Sequence, residues 1–359
     1  MGREGGRNGR GLLWSERAAA IVGGILVLAL AVAAVIGAVR LFGGDDEDGS
    51  GLGNAPGHER PPDARNGSLD VLVLGSDSRA GDNARWGRDT GSARSDVMML
   101  VHLHAGERGA TVVSLPRDTL VERPACDRPD GGTEPAASRV MINSAYAVGG
   151  PDCAVATVEE LTDLRVDHFL AVDFSGFAEL VDALGGIDVT VERPVSDPNS
   201  HLDLAAGPQT LEGEQALALV RTRGSVAGGS DLGRIQLQQA FLTALVAQLH
   251  SEDLLADPAR ALRLADAADE ALTTDDGLDS PRELARLGRG LASVGPEDLD
   301  LLTLPVVPAP EAPGRLVPLS ERSAELWRAL AADEPVPASA TQGSAAEGIE
   351  VGDVIRPRP

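Results

Sequence analysis

Lysine is absent: all 31 basic residues of the 359-residue chain are arginine. That excludes Schiff-base catalysis and any P-loop lysine. Aromatic residues make up only 3%, and 55 acids give a formal net charge of -24. A nucleic-acid binder needs a basic face with interleaved aromatics, so nucleic acid is excluded as a partner. Only two cysteines occur, Cys126 and Cys153, with no CxxC or Cys/His spacing of a zinc finger. His102 and His104 could share one face of a strand, but no third ligand stands at a suitable spacing. G-x-S-x-G, Walker and Rossmann signatures are missing, and no internal repeat is seen.

One long apolar run is present. Residues 18–39 carry no charge, with Arg3, Arg7, Arg10 and Arg17 before them and Asp45, Asp46, Glu47 and Asp48 after. The run is long enough for a membrane-crossing helix, expected over 18–42, and the arginines place the arm 1–17 in the cytoplasm and the rest outside. A cleaved signal peptide fits less well, because the run exceeds a usual h-region and no A-x-A-like site follows. Beyond the membrane an oxidising compartment allows Cys126 and Cys153 to pair; the alternative is two buried thiols.

Residues 43–69 are rich in Gly, Pro, Asp and Asn and read as a linker. A folded region is expected over 70–333. Short β-branched or apolar runs predict strands at 71–74, 97–102, 111–115, 169–172, 187–191 and 299–304. Helices are predicted at 140–148, 154–161, 176–184, 213–220, 231–250, 258–272, 281–293 and 320–330, with Gly185-Gly186 ending the one at 176–184 and Ser230 capping the long one. The pattern is α/β and layered. Residues 334–359 are polar and aperiodic and are expected to be a disordered tail.

Against the acidic background, arginines cluster. Arg221 and Arg223 flank Thr222, followed by Asp231, Arg234 and Gln238, which share one face of the long helix at i, i+3, i+7. Arg221 and Arg223 serve one ligand only if the chain is extended at Thr222. Further polar groups stand at strand ends: Asp77 and Arg79 after the first strand, Arg94 and Asp96 at the second, Arg117 and Asp118 after the third. Guanidinium forks match phosphate oxygens in pairs, so these arginines point to a compact polyanion. The acids could hold Mg²⁺ or Mn²⁺, which takes one or two carboxylates plus phosphate oxygens, and the arginines would stabilise charge in phosphoryl transfer. His168 reads as structural, and Phe169, Phe174, Phe177 and Phe241 as core.

The ordered motifs LVLGSDSR, RSDVMMLV, SLPRD, INSAY, VDHFLAVDFSGFAELVDALGGIDV, GEQALALVRTR and DLGRIQLQQ resemble the extracytoplasmic domain of the LytR-CpsA-Psr family over residues 70–250. The resemblance implies a membrane-anchored enzyme with a three-layer α/β/α domain around a central mixed sheet. It further implies a polyprenyl-pyrophosphate glycan as donor and peptidoglycan as acceptor, joined by a phosphodiester. Asp77 and Asp96 resemble the metal carboxylates, which with Arg117 and Arg221 form the expected catalytic set. Arg94, Arg117, Arg221 and Arg223 resemble the pyrophosphate-binding arginines, and Asp231, Arg234 and Gln238 the face completing that pocket. Two departures stand out: Met141 and Leu237 occupy positions where many members carry Lys and Arg. Other readings are a non-catalytic lipid-binding or regulatory envelope protein and a hydrolase releasing glycan phosphate. The arginine-only composition and the cysteine pair resemble actinobacterial members.

Overall fold

A computed structural model of the protein describes residues 52, 55–64, 66–76, 83, 94–106, 109–222, 231–251, 264, 266–268, 270–279, 294–347 and 354–358. The expected membrane helix, the Ser230 cap, the helix expected at 281–293, and Asp77, Arg79 and Arg223 lie outside the described residues, as does most of the helix expected at 258–272. Among the described residues, no helix is long and apolar enough to cross a membrane.

A six-stranded mixed sheet forms the centre. Its strands are β1 (Leu69–Ser76), β2 (Ser95–Leu103), β3 (Ala110–Ser114), β4 (His168–Val172), β5 (Leu272–Thr274) and β6 (Leu299–Thr303), in the order β5-β4-β1-β2-β3-β6. The β1–β4 and β3–β6 pairs are parallel; β1–β2, β2–β3 and β4–β5 are antiparallel. Every residue of β1 and β2 is buried, as continuous apolar runs covered on both faces require. Alternation then sorts the side chains. Val71, Val73, Val97, Met99 and Val101 join one apolar cluster, and Leu72, Leu74, Met98 and Leu100 the other.

Helices cover both faces. On the first, α2 (Phe174–Ala183), α3 (Gly213–Arg221) and most of α4 (Asp231–Ser251) supply Phe174, Phe177, Leu217 and Phe241. On the second, α1 (Ser144–Thr162) and α5 (Ser320–Ala331) supply Val155, Val158, Leu326 and Trp327. The first turn of α4 reaches this second cluster through Leu232 and Ile235, so the helix start straddles the two cores. Local signals set these ends. The Asp173 carboxylate caps α2 by accepting from the Gly176 N–H at 3.0 Å. A capping box of Glu212 and Gln215 opens α3. Gly213 lets α3 approach α2 closely, since a Cβ there would stand 2.2 Å from the Ala178 carbonyl oxygen.

Three expectations are corrected. The helix expected at 140–148 starts only at Ser144, because Val140 and Met141 pair with Val121 and Leu120 in a two-stranded ribbon. Tertiary pairing overrides local propensity there. The helix then breaks at Gly149 and Gly150, where the chain passes the Asp127 carbonyl, and resumes before Cys153, which forms a disulfide with Cys126. Second, part of the expected linker is packed: the Arg60 guanidinium donates to Glu159 Oε1 at 2.8 Å, and His58 Nε2 lies 2.9 Å from Glu159 Oε2. Third, part of the expected disordered tail is docked. Ile355–Pro357 adds a third strand beside Ile187–Val191, which also pairs with Gly207–Leu211. Val354 and Ile355 are buried there, and so is Ala340. Two adjacent apolar residues are too few for a periodic signal, yet enough to complete a sheet edge.

Candidate active site

The carboxyl ends of β1 and β3 and the start of β2 meet at one edge of the sheet. Ser76 faces Ser95 across a register shift, and the Leu115 N–H donates to the Met98 carbonyl at 2.8 Å. The chain then turns, with the Thr119 N–H donating to the Pro116 carbonyl at 3.0 Å, which projects Arg117 over the start of β2. The start of α4 closes this end. A cleft results, lined by Asp96, Met98, Arg117, Asp231, Arg234 and Gln238.

A chain of alternating charges runs along it. Arg117 Nη1 donates to Asp96 Oδ1 at 2.8 Å, and its Nε lies 3.3 Å from Asp231 Oδ1 and 3.6 Å from Asp118 Oδ2. Asp231 Oδ1 also accepts from Arg234 Nη2, one helical turn on. Asp96 and Arg234 are buried. Burial pulls the Arg117 guanidinium down, but Asp96, Asp231 and Asp118 together outweigh it and its pKa ends raised. At Arg234 the balance reverses: burial lowers its pKa, Asp231 opposes, and the nearby Arg117 cation adds to the lowering.

Gln238 donates to the Val220 carbonyl at 3.3 Å, joining this face of α4 to the end of α3. Arg221 is the last helical residue there, its guanidinium 4.8 Å from the centre of the Phe174 ring. Thr222 is extended, at φ -66° and ψ 136°, as service of one ligand by Arg221 and Arg223 requires. Its hydroxyl donates to the Ala218 carbonyl at 2.9 Å and is bonded to Ser200 at 2.7 Å. Arg94 precedes β2 and is exposed. The structure therefore brings together Asp96, Arg117, Asp231, Arg234 and Gln238 and places Arg221 at the neighbouring helix end.

Sequence reasoning missed two supports. Arg315, from a distant loop, donates to Asp118 Oδ1 at 2.7 Å, so Asp118 holds both Arg315 and Arg117. Gln239 fastens α4 to the sheet by donating to the Leu302 carbonyl at 3.0 Å and to Ser114 Oγ at 3.2 Å. Only the repeated glutamine of the IQLQQ run hinted at the second; nothing hinted at the first.

The LytR_cpsA_psr family model matches residues 48–325. The chain belongs to this family. Over 223 residues it is 37% identical to the probable cell wall biosynthesis protein LcpB of Corynebacterium glutamicum, covering 60% of this chain and 50% of that one. It is 36% identical over 185 residues to the polyisoprenyl-teichoic acid--peptidoglycan teichoic acid transferase TagT of Bacillus subtilis, covering 50% of this chain and 52% of that one. A solved structure of TagT bound to LI-WTA superposes with a TM-score of 0.55 at 26% identity, covering 78% of this chain and 95% of that one. The chain spans about half the length of the curated relatives it matches.

The two departures from the family pattern now have locations. Leu237 is fully buried in the apolar cluster beside Phe241, not on the polar face of Arg234 and Gln238. Met141 ends the ribbon strand paired with Leu120, and its carbonyl accepts from Ser144 Oγ at 2.6 Å. Neither departure interrupts the charge chain in the cleft.

Proposed function

We propose that this LytR-CpsA-Psr protein transfers a glycopolymer, with one phosphate, from a polyprenyl-pyrophosphate carrier to a peptidoglycan hydroxyl in the cell envelope. The observation that carries the reading is the cleft in which Arg117 and Arg234 share Asp231 beside the buried Asp96. Arg117, Arg234 and Arg221, with Arg94 and Arg223, bind the pyrophosphate, and Gln238 completes the polar face. The acceptor oxygen attacks the phosphorus carrying the glycan. The bond from that phosphorus to the bridging oxygen breaks, and polyprenyl phosphate departs with the electron pair. Asp77 or Asp96, whichever is not fully occupied by metal, takes the acceptor proton. Arginines held in place before reaction stabilise the charge that grows on the leaving phosphate.

The donor set is compatible with Mg²⁺ or Mn²⁺. Asp96 Oδ2 is buried with no hydrogen-bond partner among the described residues, and a hard cation takes such an oxygen. Asp96 with Asp77 would hold the ion, which when bound neutralises part of the pyrophosphate charge. A helix at 18–42, with a cytoplasmic N-terminus, keeps the cleft at the outer membrane surface where the lipid donor resides. The apolar cluster of Phe174, Phe177 and Phe241 beside Arg221 supplies the apolar side that such a lipid needs.

The test is product formation by the full-length protein in detergent with Mg²⁺, a polyprenyl-pyrophosphoryl disaccharide and a peptidoglycan fragment. A phosphodiester-linked product, lost in Arg117→Ala and Arg221→Ala, is expected. Free glycan phosphate without ligated product would mark a hydrolase, and lipid binding with neither product would mark a binding protein.

A further inference from the structure

At the opposite end of β2 from Asp96, three side chains converge that the proposed reaction does not use. His102 Nε2 lies 3.3 Å from Asp333 Oδ1, and His104 Nδ1 lies 2.7 Å from the same oxygen. All three atoms fall within 4.8 Å of one another. The missing third ligand of the histidine pair thus arrives from 229 residues along the chain, just beyond α5. Asp333 adopts a left-handed φ of 54°, directing its carboxylate back to the sheet while its N–H closes the helix end on the Leu330 carbonyl.

The outward-facing atoms of the same residues are occupied. His102 Nδ1 lies 2.9 Å from Asp70 Oδ1, His104 Nε2 lies 3.0 Å from Thr111 Oγ1, and the Ala105 N–H donates to Asp333 Oδ2 at 3.3 Å. A proton on His102 Nδ1, given to Asp70, leaves the Nε2 lone pair facing inward. A proton on His104 Nε2, given to Thr111, does the same for Nδ1. Metal-binding histidines are oriented in this way, each fixed in one tautomer by a partner on its other nitrogen.

We propose that His102 Nε2, His104 Nδ1 and Asp333 Oδ1 bind a divalent transition metal of the zinc class, clasping the end of α5 to β2. Bonds of about 2.0–2.1 Å in a tetrahedron separate ligand atoms by about 3.3 Å. The His102–Asp333 spacing already matches, the His104–Asp333 pair has to open slightly, and the two ring nitrogens, within 4.8 Å of each other, have to draw together. Two imidazoles and one carboxylate leave a fourth position for water. The nitrogen ligands select zinc over magnesium, so this site and the cleft take different ions.

The experiment uses the full-length protein, stripped with chelator and titrated with Zn²⁺ alone and, for spectroscopy, with Co²⁺ alone. We expect one tightly held equivalent of Zn²⁺, a higher melting temperature, and a tetrahedral Co²⁺ absorption spectrum. His104→Gln, at the less buried edge, is expected to weaken Zn²⁺ at least about 100-fold, and Thr111→Val about 10-fold, as loss of an orienting partner does. The Asp96→Asn variant retains the zinc equivalent, which separates this site from the cleft. Failure of the stripped protein to bind one equivalent of Zn²⁺, or equal affinity in His104→Gln, overturns the proposal and leaves the three residues as a hydrogen-bonded clamp.

Discussion

Replacing Arg117 by methionine removes the cation that faces three carboxylates while keeping most of the side-chain volume. Asp96 loses its 2.8 Å partner, and Asp231 loses one of the two arginines it serves. At an effective dielectric of about 20, a pair at that distance attracts by about 6 kcal/mol, much of it offset by the cost of taking both charges out of water. What decides the outcome is the asymmetry of breaking a buried pair: Asp96 cannot follow its hydration, because its side chain is only 2% exposed. Arg117→Met should therefore cost about 3–5 kcal/mol, which lowers the melting temperature by about 10 °C in a domain of this size. Asp96→Asn should cost only about 2 kcal/mol, since Arg117 keeps Asp231 and Asp118. The double variant should recover about 2 kcal/mol relative to the sum of the singles, because the neutral Asn no longer misses the cation. Urea unfolding of all four proteins closes the cycle. Inorganic pyrophosphate should stabilise the parent and not Arg117→Met. A melting temperature for Arg117→Met within 2 °C of the parent, with no coupling to Asp96, would refute the reasoning and reduce the cleft to a solvated ion network of little energetic weight.

Three further outcomes follow from other parts of the fold. Burial, with repulsion from Asp70, raises the Asp167 carboxyl to about 6, while the Asp70 N–H donating to it at 2.8 Å opposes the shift. The folded state then binds this proton more tightly than the unfolded chain, so the contribution is complete below about pH 4 and is lost as pH rises through 6; Asp167→Asn should stabilise by about 2 kcal/mol at pH 7.5 and not at pH 4, and a gain that ignores pH would count against it. Reducing the Cys126–Cys153 bridge, which spans 27 residues, should cost about 3.5 kcal/mol from chain entropy, read as a lower urea midpoint; a cost under 1 kcal/mol would contradict this. Gly213→Ala should cost about 2 kcal/mol by forcing α3 off the Ala178 carbonyl, and an unchanged melting temperature would show that the close approach is not rigid.

What the sequence made legible was whatever has a local cause. Strands at 187–191 and 299–304 were readable as short β-branched or apolar runs, and α3 from Gly213 as a short amphipathic helix. The shared face of Asp231, Arg234 and Gln238 followed from helical spacing alone, and the cleft contains all three. Features made by partners far along the chain were not readable. Val140 and Met141 became a strand because residues 120 and 121 lie beside them, and Arg315 reached Asp118 across 197 residues. The docking of Ile355–Pro357 required an open edge on the Ile187–Val191 strand that no window around residue 355 reveals.

Position 237 shows how this difference bears on chemistry. In sequence, leucine in place of arginine beside Arg234 looks like a lost phosphate ligand, because the two residues are only three apart. In the fold, α4 turns Leu237 into the apolar cluster with Phe241, while Arg234 and Gln238 face the cleft. A helix advances about 100° per residue, so Leu237 and Gln238 look in different directions although they are adjacent. An arginine at 237 would therefore begin inside the first apolar cluster and could reach a phosphate only by displacing apolar contacts, at a cost of several kcal/mol. The substitution bears on what lies against the first apolar cluster rather than on the number of cations in the cleft. Leu237→Arg should thus destabilise the ligand-free protein while leaving pyrophosphate binding by Arg117 intact, measured by urea unfolding beside pyrophosphate titration. Unchanged stability with tighter pyrophosphate binding would mean that position 237 does communicate with the cleft.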